Sequence, residues 1–397
     1  MVTPNLLTFN AGSSSVKIGL FSVNQGVSTQ IGAGAIDLRH EPLVLKLKNA
    51  GQSFEIALQE KLSEDLHEVI DETLTWLDKH FSLDHLNVVG HRVVHGGDQY
   101  AGPVAVDQQV LDILATFIPL APLHQPHSLR LIQAIRHLRP DLLQTASFDT
   151  AFHRSQSDCV RTFAIPHKWF EEGIKRYGFH GLSYQYVMRA LGSHFPEYSQ
   201  RKTVVAHLGS GASLCAIESG LSRDTSMGFS TLDGIPMATR CGALDPGVIL
   251  YFLEHVGISA SEIEHLLYEK SGLLGMSGVS AEMRDLLKSA QDSAKKAIEH
   301  FTFRIAGEIA RLANTLGGLE TLIFTAGIGE HQPEIRAAVC QQLAWLGVGI
   351  DSEVNASAQG EFKVLSQPAS RVTVLVVPTN EEQIIADEAQ AIRAQLG

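Results

Sequence analysis

The sequence predicts an α/β protein made of two related halves, and three observations carry that expectation. Twice an apolar run enters a Gly/Ser-rich turn and returns as a second apolar run. The first copy is Leu6-Leu7-Thr8-Phe9, Asn10-Ala11-Gly12-Ser13-Ser14-Ser15, Val16-Lys17-Ile18. The second is Thr203-Val204-Val205-Ala206, His207-Leu208-Gly209-Ser210-Gly211-Ala212-Ser213, Leu214-Cys215-Ala216-Ile217, in register with the first to about one residue. Elsewhere short apolar strands alternate with helical stripes, the pattern of α/β domains. No low-complexity or Pro-rich linker divides the halves, and the boundary is expected near residue 150.

The elements follow in order. Leu62, Leu66, Val69, Ile70 and Leu77 mark one helical stripe, and Leu129, Ile132, Ile135 and Leu138 another. Between them, residues 88–94 read as a strand closed by Gly96-Gly97, and Thr145-Ala146-Ser147-Phe148 as a short buried strand delivering Asp149. Residues 281–316 read as mostly helical, stopped by Gly317-Gly318 as a C-terminal cap. Thr321-Leu322-Ile323-Phe324 is a strand entering another glycine turn, Thr325-Ala326-Gly327-Ile328-Gly329-Glu330. A buried strand at 372–377 leads to Thr379-Asn380-Glu381-Glu382 and a final helix.

Bulk properties narrow the function. The 397 residues are 44% hydrophobic and 19% charged, enough for two or three well-cored domains. A net charge of −12 argues against nucleic acid or a membrane surface as partner. Cys159, Cys215, Cys241 and Cys340 form no C-x-x-C pair, so neither a disulfide framework nor a structural zinc site is expected. With no basic leader and no apolar run of about 18–20 residues, a cytoplasmic protein is expected.

Several polar groups arrive at strand ends, where α/β proteins place ligands. The 10–17 turn reads as a cradle for phosphate and metal with Lys17 as a point charge, or as a tight hairpin with Lys17 solvated. His91 and His95 have a zinc-helix spacing, but Arg92 stands where such a motif needs Glu, so the metal reading fails. Arg92 before a Gly pair suits bidentate capture of carboxylate or phosphate, or a structural arginine on carbonyls. His180, between Phe179 and Gly181, could present its ring to a site, as could Asp149 with Phe152-His153 beside it. Arg240 lies in a polar loop before Pro246, with Asp245 as a helix N-cap. Thr379-x-x-Glu382 matches a capping box, with Glu382 reaching back to the Thr379 N–H; that leaves Glu381 available for a metal ion.

Together these blocks resemble the acetate kinase family. The resemblance rests on residues 10–17 and 91–97, Arg176-Tyr177-Gly178-Phe179-His180-Gly181, Asp224-Thr225-Ser226-Met227-Gly228, the 325–330 turn and Thr379-Asn380-Glu381-Glu382, in family order across the chain. It implies two actin-like, ribonuclease-H-type domains of the sugar kinase, chaperone and actin superfamily, with an active-site cleft between them. Residues 1–150, completed by a helix at 383–397, would form the first domain. Residues 151–382 would form the second, which binds nucleotide and dimerises. The implied reaction is magnesium-dependent transfer between ATP and acetate, with Mn2+ able to substitute, in a homodimer.

The resemblance also implies roles. Arg92 and Arg240 would hold carboxylate and migrating phosphoryl group, and His180 would stabilise that group. Asn10 and Glu381 would support magnesium, Lys17 would neutralise phosphate, and Asp149 is the essential carboxylate. Val94, Leu123 and Phe179 would line the acyl pocket. His207, Gly209, Ser210, Gly211, Glu282, Met283, Arg284, Gly327, Ile328, Gly329, Glu330 and His331 would surround the nucleotide. Ser210, Glu282 and His331 depart from the family's usual Asn, Asp and Asn. Thr231 replaces Pro, and Cys241 and Ala243 replace Ser and Asp beside Arg240.

A short carboxylic acid ionises with a pKa of about 4.3, so at neutral pH it is already a nucleophile and needs no general base. The site must position it and stabilise charge on the phosphoryl oxygens, which suits arginines, a lysine, a histidine and magnesium. Asp149 is therefore expected to orient an arginine or a metal-bound water. The rivals are a propionate or butyrate kinase, a sugar kinase, and an actin- or chaperone-like nucleotide switch without a small acceptor.

Overall fold

A computed structural model describes residues 4–12, 15–38, 41–49, 51–60 and 66–396. Ser13 and Ser14 of the first turn and Leu62 of the first helical stripe lie outside the described residues. The chain divides into two compact units, Met1–Phe152 with Asn380–Gly397, and His153–Thr379.

The first unit is built on one sheet. Its strands are β1 (Leu6–Ala11), β2 (Ser15–Asn24), β3 (Val27–Asp37), β4 (Val44–Asn49), β5 (Gln52–Ala57), β6 (Val88–Val93), β7 (Val104–Ala105) and β8 (Leu143–Phe148). They lie in the order β5-β4-β3-β2-β1-β6-β8-β7. β1 to β5 pair antiparallel as successive hairpins, whereas β1, β6 and β8 run parallel. β1 reads as an unbroken apolar run because both its faces are covered. Leu7, Phe9 and Val89 face the helices His67–Phe81 and Gln125–Leu138. Leu6 and Val88 alternate to the other face, against Ala386 and Ala389 of the helix Glu381–Leu396.

That last helix sits very close to the sheet. A Cβ on Gly90 would stand 2.7 Å from Ile385 Cγ2 and 3.2 Å from Ala389 Cβ, so only glycine admits the contact. Ile384 and Ile385 are both buried, each contributing about 1.5–3 kcal/mol of apolar burial.

The second unit repeats the plan. β9 (Thr203–Leu208), β10 (Ala212–Glu218), β11 (Leu221–Thr225), β12 (Thr321–Thr325), β13 (Lys363–Val364) and β14 (Thr373–Val376) lie in the order β11-β10-β9-β12-β14-β13. Strand by strand, the pairing senses match those of β3-β2-β1-β6-β8-β7: two antiparallel, two parallel, one antiparallel. These are two copies of the ribonuclease-H-type sheet. The helix Asp292–Leu316 buries Ala294, Ala297, Phe301, Ile305, Ile309, Leu312 and Leu316 at helical spacing. It stops at Gly317, whose φ of 64° is the left-handed cap expected there.

The 281–316 segment is mostly helical, as expected, and divides into two helices, Met283–Lys288 and Asp292–Leu316, because Ser289 and Gln291 are extended and the Ser289 hydroxyl accepts from the Gln291 N–H. Two other local expectations need correction. The 325–330 glycine turn is a helical one, Ala326–His331, whose first N–H is bonded by the Glu330 carboxylate at 2.8 Å. The capping box at 379–382 does not form. The Thr379 N–H is taken by Glu330 at 3.1 Å, and Asn380 is the residue whose side chain accepts from the Gln383 N–H. Glu382 is thereby released to another role.

Candidate active site

In the first unit, strand register assembles the polar groups. Asn10 lies one pair before the end of β1 and faces Lys17 across β2. β6 runs parallel to β1 with His91 opposite Phe9, so the next residue, Arg92, comes level with Asn10. β8 in turn carries Phe148 opposite Val93, and Asp149 follows. Asn380 starts the C-terminal helix, so Glu381 and Glu382 occupy its first turn.

The side chains close into one network. Arg92 grips Asp149 with its Nε–Nη2 edge, Nε donating at 3.0 and 3.1 Å and Nη2 at 2.6 Å. Its Nη1 donates to Asn10 Oδ1 at 3.0 Å. The Asn10 amide nitrogen donates to Glu381 at 2.8 Å and to Glu382 at 3.0 Å, which fixes which end of the amide is oxygen. Lys17 Nζ stands 3.7 Å from Glu382. Glu382, which the local pattern assigned to a cap, is thus a member of this site. The doubled Glu at 381–382 was the available signal.

The electrostatics are tightly compensated. Asp149 is buried and Arg92 nearly so. Burial opposes the Arg92 charge, but Asp149 and then Glu381 outweigh it and hold its pKa above the usual value. Glu382 raises the pKa of Lys17 against partial burial, with help from Glu381. No group of three or more His, Cys, Asp or Glu side chains that could hold a metal ion occurs among the described residues. Glu381 with the second lone pair of Asn10 Oδ1 suits magnesium, which keeps waters and shares substrate phosphates. His91, 1% exposed and bonded to Gln144 at 2.8 Å, is held neutral by burial, its pKa lowered to about 4. Val94 is buried and Leu123 half-buried in this unit.

In the second unit the corresponding hairpin carries His207 opposite Ser213, again one pair before the end of the strand. Gly209 and Ser210 of its Gly209-Ser210-Gly211 loop line an open pocket with Glu282, Met283, Arg284, Gly327, Ile328 and His331. Those expected nucleotide residues therefore share one surface. Gly329 is buried, and the Glu330 carboxylate accepts from the backbone N–H groups of Ala326 and Thr379.

His180 and Arg240 meet at the same loop. A Cβ on Gly211 would stand 3.3 Å from His180 Nε2 and 3.9 Å from Arg240 Nη1. His180 sits at φ 59° as N-cap of the helix Gly181–His194, a left-handed conformation uncommon for a non-glycine and typical of constrained sites. Its ring stacks on His207 at 4.3 Å between centroids, 15° from parallel. Arg240 Nη1 donates to the Thr231 carbonyl at 3.3 Å, and its guanidinium lies 5.9 Å from the Tyr268 ring centre. Phe179 is buried, and its carbonyl lies 2.9 Å from the His153 ring nitrogen; burial lowers the His153 pKa to about 4, so this histidine is a neutral brace. Sequence reading missed Ser183, Tyr184 and Ser213, whose hydroxyls anchor the stacked imidazoles; Ser213 closes the 207–213 turn, while Ser183 and Tyr184 lie just beyond the 176–181 motif.

Comparison with known proteins agrees over the full length. A model of the acetokinase family matches residues 5–387. An acetate kinase of Rhodopseudomonas palustris is 46% identical over 386 residues, 96% of each chain. One of Methylocella silvestris is 43% identical over 400 residues, 98% of each. Among solved structures, the acetate kinase of Porphyromonas gingivalis superposes with a TM-score of 0.87 at 34% identity, covering 98% of this chain and 100% of that one. A propionate kinase from Francisella tularensis gives 0.90 at 33%, with the same coverage.

Proposed function

The chain belongs to the acetokinase family, and from that premise we propose that it transfers the γ-phosphoryl group of ATP reversibly to acetate, giving acetyl phosphate and ADP. The observation that carries the chemistry is the convergence of His180 Nε2 and Arg240 Nη1 on the 209–211 loop, two nitrogens aimed at one spot beside the pocket proposed for the nucleotide. The acceptor carboxylate arrives ionised, so no residue has to remove a proton.

His180 and Arg240 donate to the equatorial oxygens as charge redistributes, and Arg92 holds the acceptor side with its remaining N–H groups. Asp149 acts through Arg92: its bidentate grip fixes the guanidinium plane, consistent with an orienting role and not a base. Magnesium, held by Glu381 with Asn10 behind it, would supply positive charge to the phosphates. Asn10 also locks Glu381 and Glu382 in place, and Lys17 complements the phosphate from the opposite strand.

A propionate-preferring enzyme is the second reading, favoured by the propionate kinase neighbour and by Thr231, which stands at Arg240 where relatives usually carry proline. ATP-dependent acyl-hydroxamate formation across acetate, propionate and butyrate decides between them. The highest kcat/KM is expected with acetate. Preference for propionate moves the assignment within the family, and ATP turnover indifferent to any carboxylic acid removes it.

A homodimer is proposed through the second unit. The helical stretch Pro246–Tyr251 and Phe252–Val256 has no buried residue, yet exposes Leu250, Tyr251, Leu253 and Val256. Sedimentation at micromolar concentration should give twice the 43.1 kDa chain mass, and L250E with L253E should give monomer. A cytoplasmic location is proposed with it; no helix among the described residues is long and apolar enough to cross a membrane.

A further inference from the structure

The imidazoles of His180 and His207 are held in the same way. His180 Nδ1 lies 2.8 Å from Ser213 Oγ, and Ser213 is hydrogen-bonded to the Tyr184 hydroxyl. His207 Nδ1 lies 2.8 Å from Ser183 Oγ, itself 2.9 Å from Thr379 Oγ1. Each ring therefore turns its Nδ1 edge to a hydroxyl pair. The opposite edges face the glycine loop: a Cβ on Gly211 would meet His180 Nε2 at 3.3 Å, and one on Gly209 would meet His207 Nε2 at 3.6 Å.

The direction of the hydroxyl chain sets the tautomer. Tyr184 and Ser213 are both fully buried. A phenol, with a pKa of about 10, is a stronger donor than an aliphatic hydroxyl, so Tyr184 donates to Ser213. The single Ser213 proton then goes to His180 Nδ1, which must be the unprotonated, accepting nitrogen. Two face-stacked imidazolium ions at a centroid distance of 4.3 Å would repel, which keeps at least one ring of the pair neutral. A neutral ring accepting at Nδ1 carries its hydrogen on Nε2, and Nε2 is the atom facing the loop.

We propose that Ser213 and Tyr184 are positioning residues that hold His180 as the neutral Nε2–H tautomer, its donor edge aimed at the phosphoryl path beside Gly211. The inference rests on the kinase reading for its purpose but not for its geometry. With the opposite tautomer, a lone pair would face anionic oxygens and His180 would repel what it has to stabilise. The hydroxyl chain thus converts a ring able to present either edge into a fixed donor, ready before the substrate arrives.

The test reads the tautomer on resting protein. In histidine-15N-labelled enzyme at neutral pH, with H180Q to assign the signal, His180 should show a pyridine-like Nδ1 and a pyrrole-like Nε2. The reversed pattern, or two equivalent imidazolium-like nitrogens, overturns the proposal. Kinetically, S213A should lower kcat about tenfold, equivalent to about 1.4 kcal/mol, while KM for acetate and MgATP stays within about twofold. Y184F should cost about threefold, since Ser213 can still donate. S213T should recover most of the loss by returning the hydroxyl. An unchanged kcat in folded S213A, or KM rising in step with the fall in kcat, overturns it as well. If the labelled enzyme shows the expected tautomer but makes no hydroxamate, the kinase reading fails and the tautomer assignment survives.

Discussion

The two hairpin turns hold equivalent places in the six-strand pattern that the two sheets share, yet they are equipped with different chemistry. In the first unit, Asn10 and Lys17 face each other within a network of two cations and three carboxylates: Lys17, Arg92, Asp149, Glu381 and Glu382. In the second, His207 and Ser213 occupy the corresponding pair, and hydroxyls of Ser183, Tyr184, Thr379 and Ser213 link the rings of His207 and His180. The backbone frame is common, and the strands that lead into the two turns are buried throughout. What differs is how each copy meets the desolvation cost of its polar groups: compensated charge in one, neutral hydroxyl–imidazole chains in the other.

Removing Arg240 should break the second copy most severely. R240A is expected to lower kcat by about 10²–10³, the loss typical of one strong transition-state donor. A tenfold or smaller loss in steady-state kinetics would demote it to a binding residue and leave the neutral donors as the main agents there. In the first copy, D149N keeps the shape but removes the charge that fixes Arg92. It should cost about 10² in kcat through misplacement of the guanidinium. Near-full activity at saturating magnesium would show that Arg92 does not need its grip.

Acid should separate the units next. His91 and His95 in the first unit and His153 in the second have pKa values lowered by burial to about 4, against 6.5 for an exposed ring. The unfolded chain therefore binds more protons between pH 6.5 and 4, and stability falls as pH drops through that window, by up to about 3 kcal/mol per histidine. With two such residues against one, β6 should lose hydrogen-exchange protection at a higher pH than β9. Simultaneous loss, or β9 first, would remove the contrast. The smallest effect concerns the cap: N380A should destabilise by about 1 kcal/mol in urea unfolding and lower hydrogen-exchange protection at the start of the C-terminal helix, whereas T379A should leave protection there intact because Thr379 does not cap it. Loss of protection at the helix start in T379A would restore the capping box.

Much of this was legible in the sequence. The repeated hairpin, the parallel strand that delivers Asp149, the Asp245 cap and the Gly317 stop all rest on short-range rules that the chain obeys. That Gly209 and Ser210 share a pocket with Glu282, Met283, Arg284, Gly327, Ile328 and His331 was expected from the family resemblance and not from local pattern. Glu382 escaped because the capping box is a four-residue rule, while its partner Asn10 is 372 positions away and Glu330 had already claimed the Thr379 N–H. The hydroxyl anchors of His180 escaped for a similar reason: a serine in a strand carries no sign of which ring it will meet.

The C-terminal helix, packed so closely on Gly90, also orders events during synthesis. A ribosome releases β1 to β8 long before it makes residues 381–396, so the nascent first unit must wait with the Gly90 face of its sheet uncovered. The second unit has its whole sequence translated earlier and can close while the first is still unfinished. Glu381 and Glu382 arrive with that late helix. The carboxylate arm of the Asn10 network is therefore among the last parts of the molecule to be made, and a chain stalled short of it would carry the pocket beside Gly209 and Ser210 without Glu381 and Glu382.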